Sequence, residues 1–125
     1  MAARKITLHC DVPVRDILCA AIRAYAHAAY PAGGSECAQV ARYTLLELAS
    51  QVDAAISGDC HSVTISKRPR AMLKAALEYH FDRQDAEQGQ TSIHQRKLFQ
   101  GLLQEQPAMA PDLEAAVAAD QTPPG

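Results

Sequence analysis

The chain has no tryptophan, two phenylalanines and four tyrosines in 125 residues. Large aromatic anchors are too few to organise a core, so helices must meet through small and aliphatic side chains. No apolar run approaches the roughly 20 residues of a membrane span. The start, Met1 to Lys5, leads into a short alternating segment instead of a signal-peptide core, so a cytoplasmic protein without membrane contact is expected. The four cysteines, Cys10, Cys19, Cys37 and Cys60, include no closely spaced pair. That argues against a disulfide framework and predicts reduced thiols packed as small apolar groups.

Catalytic signatures are also missing. The sequence has no glycine loop for phosphate, no nucleophile elbow and no paired-carboxylate motif. His9-Cys10 and Cys60-His61 place zinc-preferring ligands side by side, but adjacent strand residues face opposite ways and each pair offers one ligand to a given site. Cys37 follows Gly33-Gly34 where a helix start can activate a thiol, yet a nucleophile needs a base, which only His27 or His94 can bring from elsewhere in the fold. A packed thiol is the plainer reading. The expectation is a non-enzymatic binding protein with no catalytic residue, no metal and no other cofactor.

What the chain does have is alanine, the residue that loses least on entering a helix. Its net charge of −2 is unevenly spread, because residues 107–125 hold Asp112, Glu114 and Asp120 and no Lys or Arg. Twelve basic and eleven acidic residues precede that tail. For such a near-neutral body the placement of cations matters more than their total.

Lys5-Ile6-Thr7-Leu8-His9-Cys10 alternates, with Ile6, Leu8 and Cys10 on one face, as in a half-exposed strand. From Val14 to Tyr30, Val14, Ile17, Leu18, Ala21, Tyr25 and Ala28 recur at helical spacing. Pro31 to Gly34 break the pattern, and Ser35-Glu36 caps a second helix with Cys37, Val40, Ala41, Leu45, Leu48, Val52 and Ile56 as its buried stripe. Gly58 is the expected left-handed terminator. His61, Val63 and Ile65 alternate against Ser62, Thr64 and Ser66 in a second strand. Pro69 opens a third helix carrying Met72, Leu73, Ala76, Leu77 and Phe81. Ser92 to Gln95 reads as a capping box for a fourth helix, with Leu98, Phe99, Leu102 and Leu103 inward and Pro107 at its end.

These elements predict a mainly α protein with two short β-strands, an α+β class. It forms one compact helical domain over residues 1–106, followed by a weakly helical to disordered acidic tail over 107–125. A shift of 55 residues lays Leu8 on Val63, Cys10 on Ile65, Arg15 on Arg70, Ile17 on Met72, Leu18 on Leu73 and Ile22 on Leu77. With an insertion in the second loop, Tyr43 and Leu46 meet Phe99 and Leu102. The domain can then be written as tandem β-α-α units over 5–57 and 61–105, although two Ala- and Leu-rich amphipathic helices align this way by chance as well.

A strand-helix-helix unit, read best in Lys5 to His9, the first helix and Gly34-Ser35-Glu36, resembles the ribbon-helix-helix fold of bacterial and phage regulators. In that fold two strands pair into a ribbon that enters the DNA major groove. The resemblance implies that the two units of one chain supply both strands. Lys5, Thr7 and His9 from one strand, with Ser62, Thr64 and Ser66 from the other, would then face the bases. This sequence departs from the pattern in a longer first helix and in lacking Arg, Asn or Gln among the base-facing residues.

Six of the twelve basic residues, Arg4, Lys5, Arg15, Lys67, Arg68 and Arg70, flank the strands or open the helices that follow, where phosphate is favoured. A solvated helix entrance accounts for Lys67 to Arg70 equally well. Two functions are therefore expected. The first is a DNA-binding regulatory protein with Arg4, Lys5, Arg15, Lys67, Arg68 and Arg70 at phosphates and Thr7, His9 and Thr64 nearest the bases. The second is an inhibitor or adaptor, of the kind carried by phages and mobile elements, that binds a host protein. Self-association into a homo-oligomer is expected in either case, since helices short of bulky residues need another surface to cover them.

Overall fold

In the computed structural model, which describes residues 4–121, alternation and helical periodicity produce seven elements. They run β1 (Lys5–His9), α1 (Val12–Ala29), α2 (Glu36–Ala55), β2 (Ser62–Ser66), α3 (Arg70–Gln88), α4 (Ile93–Leu102) and α5 (Ala110–Gln121). The mainly helical class with two short strands is the one the sequence predicts. Of the terminal Gln-Thr-Pro-Pro-Gly, which reads as disordered, Gln121 closes α5, and the last four residues lie, with residues 1–3, outside the described residues.

The strands pair antiparallel, with Lys5 opposite Ser66, Thr7 opposite Thr64 and His9 opposite Ser62. Alternation puts Ile6, Leu8, Val63 and Ile65 on the inner face, where all four are buried. Beneath them α1 packs against both α2 and α3, and α4 against α5. Val14, Leu18, Ile22, Leu45, Val52, Leu73, Phe81, Phe99 and Leu102 fill the space between. The two phenyl rings, Phe81 and Phe99, meet at 5.5 Å, and Tyr25 packs its ring against Tyr30 and Tyr79.

Buried positions recur at the 55-residue shift: Leu18 and Leu73, Ala21 and Ala76, and Ala26 and Phe81 are buried in α1 and α3 respectively, and Val14 in α1 matches the buried Pro69 just before α3. The following helices match differently from the sequence alignment. Tyr43 is 66% exposed, and it is Leu45, Leu48 and Ala49 that are buried as Phe99, Leu102 and Leu103 are, at a shift of 54. The first two turns of α2 extend past the core, leaving Cys37 and Val40 at the surface in place of the predicted buried stripe.

Two helix ends differ from their local signals. Gly58 is not left-handed. α2 stops at Ala55, and the Arg15 guanidinium donates to the carbonyls of Ile56 at 2.7 Å and Asp53 at 3.4 Å. Ser92 closes no capping box; its hydroxyl bonds Asp85 and Gln84. The start of α4 is capped instead by Asp120, whose carboxylate accepts from the backbone N–H of His94 at 2.8 Å and of Gln95 at 3.0 Å, and from Gln95 Nε2 at 3.0 Å. Residues 110–121 of the expected weakly helical to disordered tail are thus a docked helix, α5, with the Asp120 side chain only 1% exposed.

Burial alone raises a carboxyl pKa, but the His94 and Gln95 donors outweigh it and hold Asp120 below the ordinary carboxylate range. Asp85, under Ser92 and Arg96, is lowered in the same way against its own desolvation. Asp120→Ala removes a cap and strands buried donors, so unfolding in denaturant should show a loss of about 1–3 kcal/mol. Both carboxyls have folded pKa values below their unfolded ones. Their contribution is therefore full above about pH 4–5 and is lost as pH falls through the folded values. Asp120→Ala should accordingly lose less stability on acidification than the parent, measured by denaturation at pH 7 and pH 3.

Candidate nucleic-acid interface

The inward face of the ribbon is closed by the helices, which leaves the outward face polar. Lys5, Ser62, Thr64 and Ser66 are exposed, and Thr7 and His9 are half-buried. Thr7 and Thr64 stand opposite each other with their hydroxyls 3.0 Å apart, so each retains capacity for an outside partner. The structure therefore brings Lys5, Thr7, His9 and Thr64 onto one surface.

The β1 edge of the ribbon is covered, and the β2 edge has one side-chain contact. On the outer edge of β1 the Thr7 N–H donates to Glu105 Oε1 at 2.8 Å, and Ala108 N–H donates to the His9 carbonyl at 2.8 Å. Glu105 has φ 68°, a left-handed conformation costing about 1 kcal/mol. It sits where α4 turns, with Gln106 N–H bonding back to Gly101. On the β2 edge Gln51 Nε2 reaches the Thr64 carbonyl at 3.5 Å.

Cations gather at one end of this ribbon. Lys67 N–H donates to the Arg4 carbonyl at 3.0 Å, which extends the ladder and sets Arg4 beside Lys67 and Arg68 around a hollow of about 390 Å³. Lys67, Arg68, Arg70 and Lys74 line an adjoining groove of about 590 Å³ between α3 and α4. Among the described residues none of these five side chains joins an ion pair. Lys74 was not singled out from the sequence. Its signal is spacing alone, one turn beyond Arg70 and off the Leu73-Leu77 stripe.

No family model, curated protein or solved structure matches the chain. The reading of this surface rests on its own geometry.

Arg15 stands apart from the other expected phosphate contacts. Besides the α2 carbonyls it bonds Asp16 at 2.8 Å and lies 3.4 Å from Asp53, with 18% of its side chain exposed. The groups considered for zinc do not converge, since the described residues hold no cluster of three or more metal-ligating side chains. Cys10 is buried in the ladder, and the His61 ring lies against the Gly58 carbonyl at 3.2 Å.

All four cysteines are free. Burial, with Asp11 adding to it, pushes the Cys10 thiol up to about 12, and burial pushes Cys19 up to about 11. Alkylation of the native protein at pH 8 should add two labels, at Cys37 and Cys60, against four after denaturation. Intact-mass analysis reads the count, and rapid native labelling of Cys10 or Cys19 would contradict their burial. Arg15→Met should lower the thermal midpoint by several degrees through loss of the α2 cap, while leaving any salt dependence of DNA binding unchanged.

Proposed function

We propose that this chain is a small non-enzymatic, cytoplasmic DNA-binding regulatory protein of ribbon-helix-helix-like design, in which one chain supplies both strands of the ribbon. The observation that carries this reading is the pairing of β1 with β2 into a ribbon whose polar face is open and whose end holds unpaired cations. A two-stranded ribbon has the width a major groove admits. The recurrence of buried positions in α1 and α3 supports the tandem arrangement.

On this reading Arg4, Lys67, Arg68 and Arg70 bind phosphates, which supplies most of the affinity and makes it salt-dependent. Lys5 offers donors to guanine, the hydroxyls of Thr7 and Thr64 can bond to several base edges, and His9 lies beside them. A face of short hydroxyls discriminates less sharply than one with bidentate side chains.

A second reading, an inhibitor or adaptor of phage or mobile-element type that occludes a host protein, is favoured by a different surface. Val40 is 65% exposed and Tyr43 lies one turn along the same helix, an apolar stretch of α2 that a host protein or a second copy would cover. Both readings leave the membrane aside; no helix among the described residues is long and apolar enough to cross one.

Fluorescence anisotropy with a duplex from the region upstream of the coding sequence, and with an unrelated duplex, each over a salt series, separates the two. Tight, salt-steep binding to the first is expected. Lys67→Ala, Arg68→Ala and Arg70→Ala combined should weaken it and reduce the salt slope by about 2–3. An unchanged slope removes these residues from the interface. No binding to either duplex at low salt turns the assignment to the partner-binding surface of α2.

A further inference from the structure

The two ends of the ribbon are unlike in charge, and the DNA-binding reading leaves that difference unused. At one end the cations continue from Arg4, Lys67 and Arg68 onto α3. There Arg70 and Lys74 lie about 6 Å apart along the helix, at 1.5 Å per residue. Across the groove lie Gln100 on α4 and Gln104 in the turn that follows it. The cationic stretch stops at Glu78 and Asp82, one and two turns beyond Lys74.

The other end has no such grip. Asp11 opens α1 and accepts the Ala110 N–H at 2.7 Å, so the start of α5 lies against it. Arg15, the counterpart of Arg70 at the 55-residue shift, is turned to α2, and Arg23 pairs with Asp53 at 3.6 Å. The counterpart of Lys74 is Cys19, which is buried and donates to the Ala49 carbonyl.

We propose, resting on the DNA-binding reading, that the sugar-phosphate backbone is held on one flank only. It runs from the ribbon end into the α3–α4 groove, where Lys74, Gln100 and Gln104 bind it together with Lys67 and Arg70. A single chain then sits on its site in one orientation. Lys74 supplies a point charge to one phosphate, and the two glutamine amides donate neutral hydrogen bonds to backbone oxygens. The carboxylate of Glu78 turns the strand away past Lys74, while Asp82 is paired with Arg96 at 2.9 Å, so Lys74 is the last cation on this flank to reach a phosphate.

The test uses the full chain and the same labelled duplexes. Lys74→Ala should weaken binding several-fold and reduce the salt slope by about 0.9, one phosphate contact, and Lys74→Glu should do more. Gln100→Ala with Gln104→Ala should weaken binding with the slope unchanged, since no charge is lost. Lys97→Ala, an exposed cation on α4 outside the groove, should change neither. An iron-chelate cleavage reagent on Cys60, in a Cys37→Ser background, should cut an end-labelled duplex on one flank of the site. If the parent binds duplex but the Lys74 and glutamine variants behave like Lys97→Ala, the groove is not a backbone site and the ribbon reading survives. Cuts on both flanks overturn the single orientation. Failure of the parent to bind any duplex overturns this proposal together with the reading beneath it.

Discussion

The structure turns on the pairing of two five-residue strands separated by 57 residues of chain at Thr7 and Thr64. An isolated two-stranded ribbon is marginal in water, so the ladder bonds alone do not hold it. Ile6, Leu8, Val63 and Ile65 hold it by burying one face on the helices, and a slip of either strand by one residue would turn its two inner side chains outward. Register and core therefore specify each other. The same constraint leaves a polar face outside, because what alternation sends inward it must balance with Lys5, Thr7, His9, Ser62, Thr64 and Ser66.

A ribbon with open edges invites pairing with another chain, and the C-terminal segment prevents this on the β1 side. Glu105 accepts a left-handed backbone while its carboxylate takes the Thr7 N–H, and Ala108 continues the cover at His9. This position of 105–108 starts α5 against Asp11, from where it reaches Asp120 back to the first turn of α4. The residues that read as a tail thus close a ring of contacts from the ribbon edge to two helix starts.

The legible parts of the sequence were those whose physics is local. Alternation gave both strands, periodicity gave four helices, and Ser35 caps the start of α2. The parts that escaped depend on partners distant along the chain. Arg15 reads as a cation at a helix entrance, but the carbonyls it serves lie 38 and 41 residues away. Ser92 reads as a cap, yet a carboxylate at position 120 fills the place and leaves the hydroxyl to Asp85. Nothing local in Ala110–Gln121 marks it as docked, since alanine is equally at home on an exposed or a packed face. For the candidate site, ribbon alternation identified the outward residues. The sequence did not reveal that the cations collect at one end, because that depends on which helix entrance stays open.

The exposed half of α2 follows from the same geometry. Its first buried side chain is Leu45, so two turns of helix and the preceding Pro31-to-Gly34 turn project beyond the core. A helix ordinarily draws stability from an apolar face packed on something. Val40 and Tyr43 have no such cover among the described residues. The segment is held by its Ser35 cap, by Gln39 on the Pro31 carbonyl at 3.1 Å and by the neighbouring end of α1. Polar ribbon face and apolar helix tip are separate surfaces of different chemistry: one suits a charged, hydrated partner, the other a dry contact.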